Sequence, residues 1–92
     1  MSSLFLINKY SNIYFNIISK SKAKESLRYQ NRSLYERHHI VPKSLGGDND
    51  KGNLVLLTPK EHFICHLLLT KMCLSTHHKI KMIIAFDFLS KC

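Results

Sequence analysis

Apolar positions in the first third of the chain recur at three- and four-residue spacing, at Tyr10, Ile13, Tyr14, Ile17 and Ile18. That period marks one face of a helix. It predicts a helix from about Lys9 to Glu25 whose apolar face covers a small core, with the basic residues of its second half mostly off that face. The pattern changes at Tyr35. Tyr35-Glu-Arg-His-His-Ile-Val41 is β-prone and ends at Pro42, a residue that cannot donate to a sheet ladder. Lys43 to Asn53 is dense in turn formers, and Leu54-Val-Leu-Leu57 is a short apolar strand. This strand leads directly into a helix start, with Thr58 as N-cap, Pro59 at the first helical position and Glu61 closing a Thr-x-x-Glu capping box. The segment from Thr76 to Leu89 reads as a further helix with Ile80, Ile83 and Ile84 on one face. The expected class is α+β, with strand, loop, strand and helix at its centre.

The chemistry-bearing residues fall on those central elements. His62 and His66 stand four apart on the capped helix, so both imidazoles project from one side and can bind one ion at about 2.0 to 2.1 Å per nitrogen. An ordinary amphipathic helix carries such a pair often enough that it proves little alone. His38 and His39 are adjacent in a strand, and adjacent strand residues point to opposite faces. One of the two can join His62 and His66 as a third ligand, while the other stays unligated and free to take a proton from water, a task suited to a group that titrates near neutrality.

These residues carry a family resemblance. Glu36-Arg-His-His-Ile-Val-Pro-Lys-Ser-Leu-Gly-Gly47, Asn53-Leu-Val-x-Leu-Thr-Pro-Lys-x-His62 and the closing His66 resemble the ββα-metal site of the HNH endonuclease superfamily, over about 40 of the 92 residues. The pattern is most similar to the HNH proteins of tailed phages, many of them homing endonucleases, and its core is similar to colicin nuclease domains. The resemblance implies a ββα-metal core at 35–72, preceded by a helix and basic linker at 1–34 and followed by a helix at 73–92, all in one nuclease domain. It implies that His39, Asn53 and His62 are the residues for which the motif is named. His39 would deprotonate the attacking water, and Asn53 would hydrogen-bond the backbone near His39 and fix the loop. His38, His62 and His66 would hold one divalent ion, Mg²⁺ or Zn²⁺, with Ni²⁺ and Mn²⁺ as alternatives. Arg32 and Glu36 match an Arg and a Glu that sit beside the bound phosphate in colicin-type sites; their other reading is a local ion pair. Arg37, Lys43 and Lys60 are the remaining candidates for nucleic-acid contact. The implied activity is hydrolysis of DNA phosphodiester bonds, leaving a 5′ phosphate and a 3′ hydroxyl. The alternative is a non-catalytic or truncated metal-stabilised DNA-binding module. A homodimer is the simplest route to cutting both strands, because one His39 serves one phosphate at a time.

Composition agrees with a polyanionic substrate. Lys and Arg number 14 against 6 acids, a formal charge of +8, enough to make binding of nucleic acid salt-sensitive. The basic residues gather at Lys20, Lys22, Lys24, Arg28 and Arg32, then recur at Lys43, Lys51, Lys60 and Lys71. Contacts to phosphate carry no sequence information, and with about 20 residues after the metal helix no second DNA-reading module is expected. A core of 92 residues is marginal, so stability linked to the metal is expected. The three cysteines lack a Cys-x-x-Cys pair, which argues against a disulfide framework or a zinc knuckle; Cys65 is expected in the core. His77 and His78 read as surface residues in a linker before the tail helix. No membrane span is expected, and no export signal, which places the protein in the cytoplasm, that of the host cell if phage-encoded.

Overall fold

The computed structural model describes residues 4–90. It contains α1 (Lys9–Ala23), α2 (Glu25–Tyr29), β1 (Glu36–His39), β2 (Leu54–Leu57), α3 (Pro59–Met72) and α4 (Thr76–Ser90), with single 3-10 turns at Arg32–Leu34, Lys43–Leu45 and Lys51–Asn53. The two strands pair antiparallel, with Glu36 opposite Leu57 and His38 opposite Val55. This is the small α+β arrangement expected of an HNH core, with helices on both flanks. Among the described residues, no helix is long and apolar enough to cross a membrane.

α1 begins at a capping box that the apolar pattern did not announce: Asn8 Oδ1 accepts from Ser11 N at 2.9 Å, and Ser11 Oγ accepts from Asn8 N at 2.9 Å. Its buried row is Ser11, Tyr14, Ile18 and Ser21. Ile13, expected on that row, is 48% exposed, while Tyr10 and Ile17 are only partly buried.

The helix expected to run to Glu25 stops at Ala23 and restarts as α2. Side chains on both sides of this break are tied to other parts of the fold. Lys22 Nζ donates to Leu54 O at 3.0 Å and pairs with Glu25 at 2.8 Å. Arg28, 6% exposed, donates through Nη1 to Leu56 O and to Glu61 Oε1, both at 2.8 Å, and lies over the Tyr35 ring. Burial alone would raise the Glu61 pKa, but hydrogen bonds from Arg28 and Thr58 outweigh it and hold the carboxyl below its ordinary range. Lys22 and Arg28, counted in the sequence among the basic residues expected to attract a polyanion, are structural ties to β2 and α3.

β2 is buried along Val55, Leu56 and Leu57, and α3 packs Cys65, Leu68, Leu69 and Met72 into the same core. The α3 capping box forms as the sequence predicts, with Glu61 N donating to Thr58 Oγ1 at 3.1 Å and Thr58 N donating to Glu61 Oε1 at 2.9 Å. Beyond α3 the chain bridges to the N-terminal segment, where Leu6 N donates to Met72 O at 2.7 Å and Leu74 N to Leu4 O at 2.9 Å. In α4 Met82 is the residue turned into the core, at 1% exposure, while Ile80, Ile83 and Ile84 face solvent. Phe86 meets Phe63 of α3 at 5.0 Å between ring centroids. His77 and His78 occupy the first turn of this helix. They are not in a linker. Cys65 and Cys73 are buried free thiols, with Cys65 pushed up to about 12 by burial, and Cys92 lies outside the described residues.

Candidate metal centre

Strand alternation sets the first half of the site. Glu36 and His38 lie on the face of β1 turned toward α3, and Arg37 and His39 on the other. The second half comes from α3, whose N-terminus is fixed by its capping box directly after β2, so that His62 and His66 project toward His38. Among the described residues, these three form the group whose ligand nitrogens lie within 4.8 Å of one another. Their ring centroids are 4.8 to 5.2 Å apart.

The hydrogen bonds around the cluster commit one nitrogen of two of the rings. His38 Nε2 is 2.7 Å from the Tyr14 hydroxyl, and His62 Nδ1 is 2.8 Å from Glu36 Oε1. The remaining nitrogens of those rings, Nδ1 of His38 and Nε2 of His62, are left for another partner. His66 Nδ1 is buried and has no hydrogen-bond partner, a condition that costs about 1 to 3 kcal/mol for a polar group. Burial, and then the neighbouring imidazoles, lower the pKa of His38 to about 2 and that of His66 to about 4. Both rings are therefore neutral at pH 7, the form in which imidazole binds a metal. Uncommitted nitrogens, neutral rings and an orphaned buried atom fit a divalent cation well.

His39 has a different environment. It is partly exposed, and its Nε2 lies 2.7 Å from Asn49 Oδ1. Asn53 closes the loop between these two residues. Its Oδ1 accepts from Val41 N at 2.8 Å, while its Nδ2 donates to Val41 O at 3.0 Å and to Asp48 O at 2.9 Å. The loop turns at Gly46, where φ is +98°, a conformation that favours glycine. Gly47 is required for a second reason. A β-carbon there would lie 2.6 Å from the Val41 carbonyl carbon, nearer still to its oxygen, and 2.9 Å from Asn53 Nδ2.

A cleft of about 250 Å³ opens onto the cluster, lined by Arg37, His38, His39, Lys43, His62 and His66 with parts of α4. Arg32 and Lys60 are not among its lining residues. Arg32 and Glu36 do not pair with each other: Arg32 donates to Tyr35 O at 2.8 Å, and Glu36 is taken by His62. Sequence reasoning missed Tyr14, Asn49 and the Glu36–His62 contact. Signals existed for two of them, since a tyrosine on a buried helix face needs a partner for its hydroxyl, and Glu36 shares a strand face with His38.

A family model described as HNH endonuclease matches residues 20–71. The chain belongs to the HNH endonuclease family. Among curated proteins it is 41% identical over 83 residues to the probable mobile endonuclease E of Enterobacteria phage T4, covering 90% of this chain and 52% of that one. To the probable mobile endonuclease B of the same phage it is 48% identical over 63 residues, covering 68% and 24%. An uncharacterized 38.5 kDa protein in psbA intron 1 of Chlamydomonas moewusii is 34% identical over 67 residues, covering 73% of this chain and 18% of that protein. The chain thus spans about half, or less, of the length of these relatives. No solved structure matches it.

Proposed function

We propose that this HNH chain is a metal-dependent, homing-type endonuclease that hydrolyses DNA phosphodiester bonds. The observation that carries this reading is the division of two adjacent histidines between two environments. His38 is buried against His62 and His66, and His39 is turned into the cleft beside a hydrogen-bonding amide. That is the separation of ligand from base that water activation beside a metal requires.

His38, His62 and His66 would hold the ion. When bound, a divalent cation there supplies positive charge for the phosphate and for the 3′ oxygen that leaves. Three imidazoles favour zinc or nickel in affinity, whereas magnesium prefers oxygen ligands, so the ion that binds tightest need not support the fastest cleavage. His39 donates Nε2–H to Asn49 and accepts the proton of the attacking water at Nδ1. Asn53 holds the strand exit and the Asn49 loop together, and so fixes the direction of that nitrogen. Arg37 and Lys43, on the cleft wall, take the scissile phosphate, with Lys60 and Arg32 on the neighbouring backbone. Glu36 contributes by turning His62 rather than by touching phosphate. One chain nicks, a pair cuts both strands, and the site of action is the cytoplasm of the host cell.

The test is cleavage of supercoiled plasmid by metal-stripped protein, with magnesium, manganese, nickel and zinc restored separately, beside His39→Ala prepared identically. Metal-dependent nicking that vanishes in His39→Ala supports the proposal. No cleavage with any ion, by protein shown to be folded and metal-loaded, would leave a DNA-binding module without catalytic activity.

A further inference from the structure

We propose that Tyr14 is a positioning residue that fixes the tautomer of His38, so that Nδ1 presents its lone pair to the metal. The inference rests on the metal reading above and adds a residue from α1, outside the segment 20–71 matched by the family model. Tyr14 is fully buried, and its hydroxyl meets two groups, Ile40 O at 2.7 Å and His38 Nε2 at 2.7 Å.

A phenol has one hydrogen, and a carbonyl oxygen can only accept. If the hydrogen pointed at His38, the hydroxyl and the carbonyl would face each other at 2.7 Å with nothing between two negative oxygens. The hydrogen therefore goes to Ile40 O, and the second contact is Nε2–H of His38 donating to the hydroxyl oxygen. Neutral imidazole carries one N–H. With Nε2 protonated, Nδ1 is the nitrogen with the lone pair.

The packing supports a specific role for the hydroxyl. Phenylalanine would fill the same volume beside Ile18, so core formation alone does not call for an oxygen here. Ile40 is pinned from the other side by its own N–H, which donates to Asn53 O at 2.8 Å. α1 and the Asn53 loop thus grip the exit of β1 between them. His62 receives the opposite arrangement. Its Nδ1 faces the Glu36 carboxylate, which can only accept, so in the neutral ring the lone pair is on Nε2. Two neighbouring ligands are locked in different tautomers by partners from different elements, and random tautomers would leave some molecules with an N–H aimed at the ion. Partners of this kind are worth about 10 to 100-fold in metal affinity.

The experiment reads the tautomer directly. Two-bond ¹H–¹⁵N correlation spectra of the metal-free full chain should show His38 as a single Nε2–H tautomer. In Tyr14→Phe the His38 signals should shift toward a mixture, the His62 signals should stay, and zinc affinity measured by competition with a chelating dye should fall about 10 to 100-fold. Ile18→Ala, which empties part of the same helix face without touching His38, should lower stability and leave both tautomer and zinc affinity within about twofold of wild type. An Nδ1–H tautomer at His38 in the wild type would overturn the proposal, even if Tyr14→Phe did not fold. So would a folded Tyr14→Phe with unchanged His38 signals and wild-type zinc affinity. A wild type that shows Nε2–H at His38 but binds no zinc would support the lock and overturn the metal reading, so the two failures are distinguishable.

Discussion

Replacing each of the three glycines by alanine, one at a time, tests the loop that joins His39 to Asn53. At Gly47 the added β-carbon would meet backbone rather than a flexible side chain, 2.6 Å from the Val41 carbonyl carbon, against the roughly 3.5 to 4.0 Å that carbon atoms prefer. The strand exit and the loop must part by about 1 Å or more. Asn53 bridges that same gap with three hydrogen bonds, two to Val41 and one to Asp48. Losing them costs about 1 kcal/mol each, and overpacking adds about 1 to 3, for a total of about 4 to 6 kcal/mol. A chain of this size holds about 5 to 14 kcal/mol of stability, and each kcal/mol corresponds to about 4 to 8 °C in melting temperature. Gly47→Ala should therefore lose at least 15 °C, or about half the stability, in thermal unfolding followed by circular dichroism. Gly46 has open space around its α-carbon but a φ of +98°, so alanine there should cost about 1 to 2 kcal/mol of backbone strain. Gly52 has neither a close neighbour nor a positive φ, and alanine should fall within about 0.5 kcal/mol of wild type. The expected order of damage is Gly47, Gly46, Gly52. A Gly47→Ala protein that melts within 3 °C of wild type, on the roughly 4 to 8 °C per kcal/mol scale, would refute the packing of Asn53 against Val41.

His39→Ala should abolish plasmid cleavage with zinc affinity retained, and a parallel loss of affinity would show that His39 is a ligand. His62→Ala should lower zinc affinity and the melting temperature of the zinc-loaded protein together; an unchanged melting temperature at saturating zinc would count against a shared site. Arg28→Ala removes the guanidinium that pairs with Glu61 and donates to Leu56 O and should cost about 3 kcal/mol in urea unfolding, whereas a cost below about 0.5 kcal/mol would return Arg28 to the solvated surface. In metal-free protein, His38 and His66 have folded pKa values of about 2 and about 4, below the unfolded value of about 6.5. The unfolded chain therefore binds more protons below pH 6.5, and stability should fall as pH drops from 6.5 toward 4, by up to about 1.4 kcal/mol per pH unit for each ring. A melting temperature that stays flat from pH 7 to 5 would contradict the burial of these two rings.

The parts of this structure legible in the sequence are those set by local stereochemistry. Thr58, Pro59 and Glu61 announce the start of α3 because a capping box needs only residues three apart. The spacing of His62 and His66 fixes a common face, and the adjacency of His38 and His39 fixes opposite ones, whatever surrounds them. What stayed hidden depends on partners distant in sequence. Arg28 is indistinguishable from its basic neighbours until β2 brings the Leu56 carbonyl beneath it and α3 brings Glu61. Glu36 matches a phosphate-side residue by resemblance, yet in three dimensions its carboxylate is hydrogen-bonded to His62. In α4 apolar residues occupy more than one face, so periodicity alone does not choose between Met82 and the isoleucines; packing against α3 chooses Met82.

The hidden contacts and the legible ones meet at a single place, which has a consequence for how α1 contributes to function. The proposed ligands come from β1 and α3, but the groups that set their ring orientations come from α1 through Tyr14 and from β1 through Glu36. Among the described residues, the three clustered imidazoles leave one buried nitrogen, His66 Nδ1, without a hydrogen-bond partner. On the proposed assignment, metal binding and the seating of the Tyr14 hydroxyl would stabilise each other, because an ion that selects the Nδ1 lone pair of His38 also selects the geometry in which that hydroxyl is seated. Removing the Tyr14 hydroxyl without altering a ligand, as in Tyr14→Phe, should weaken metal binding, and added metal should in turn slow hydrogen exchange around Tyr14 in α1. The flanking helix that looks in the sequence like plain core covering is thereby tied to the chemistry of the site.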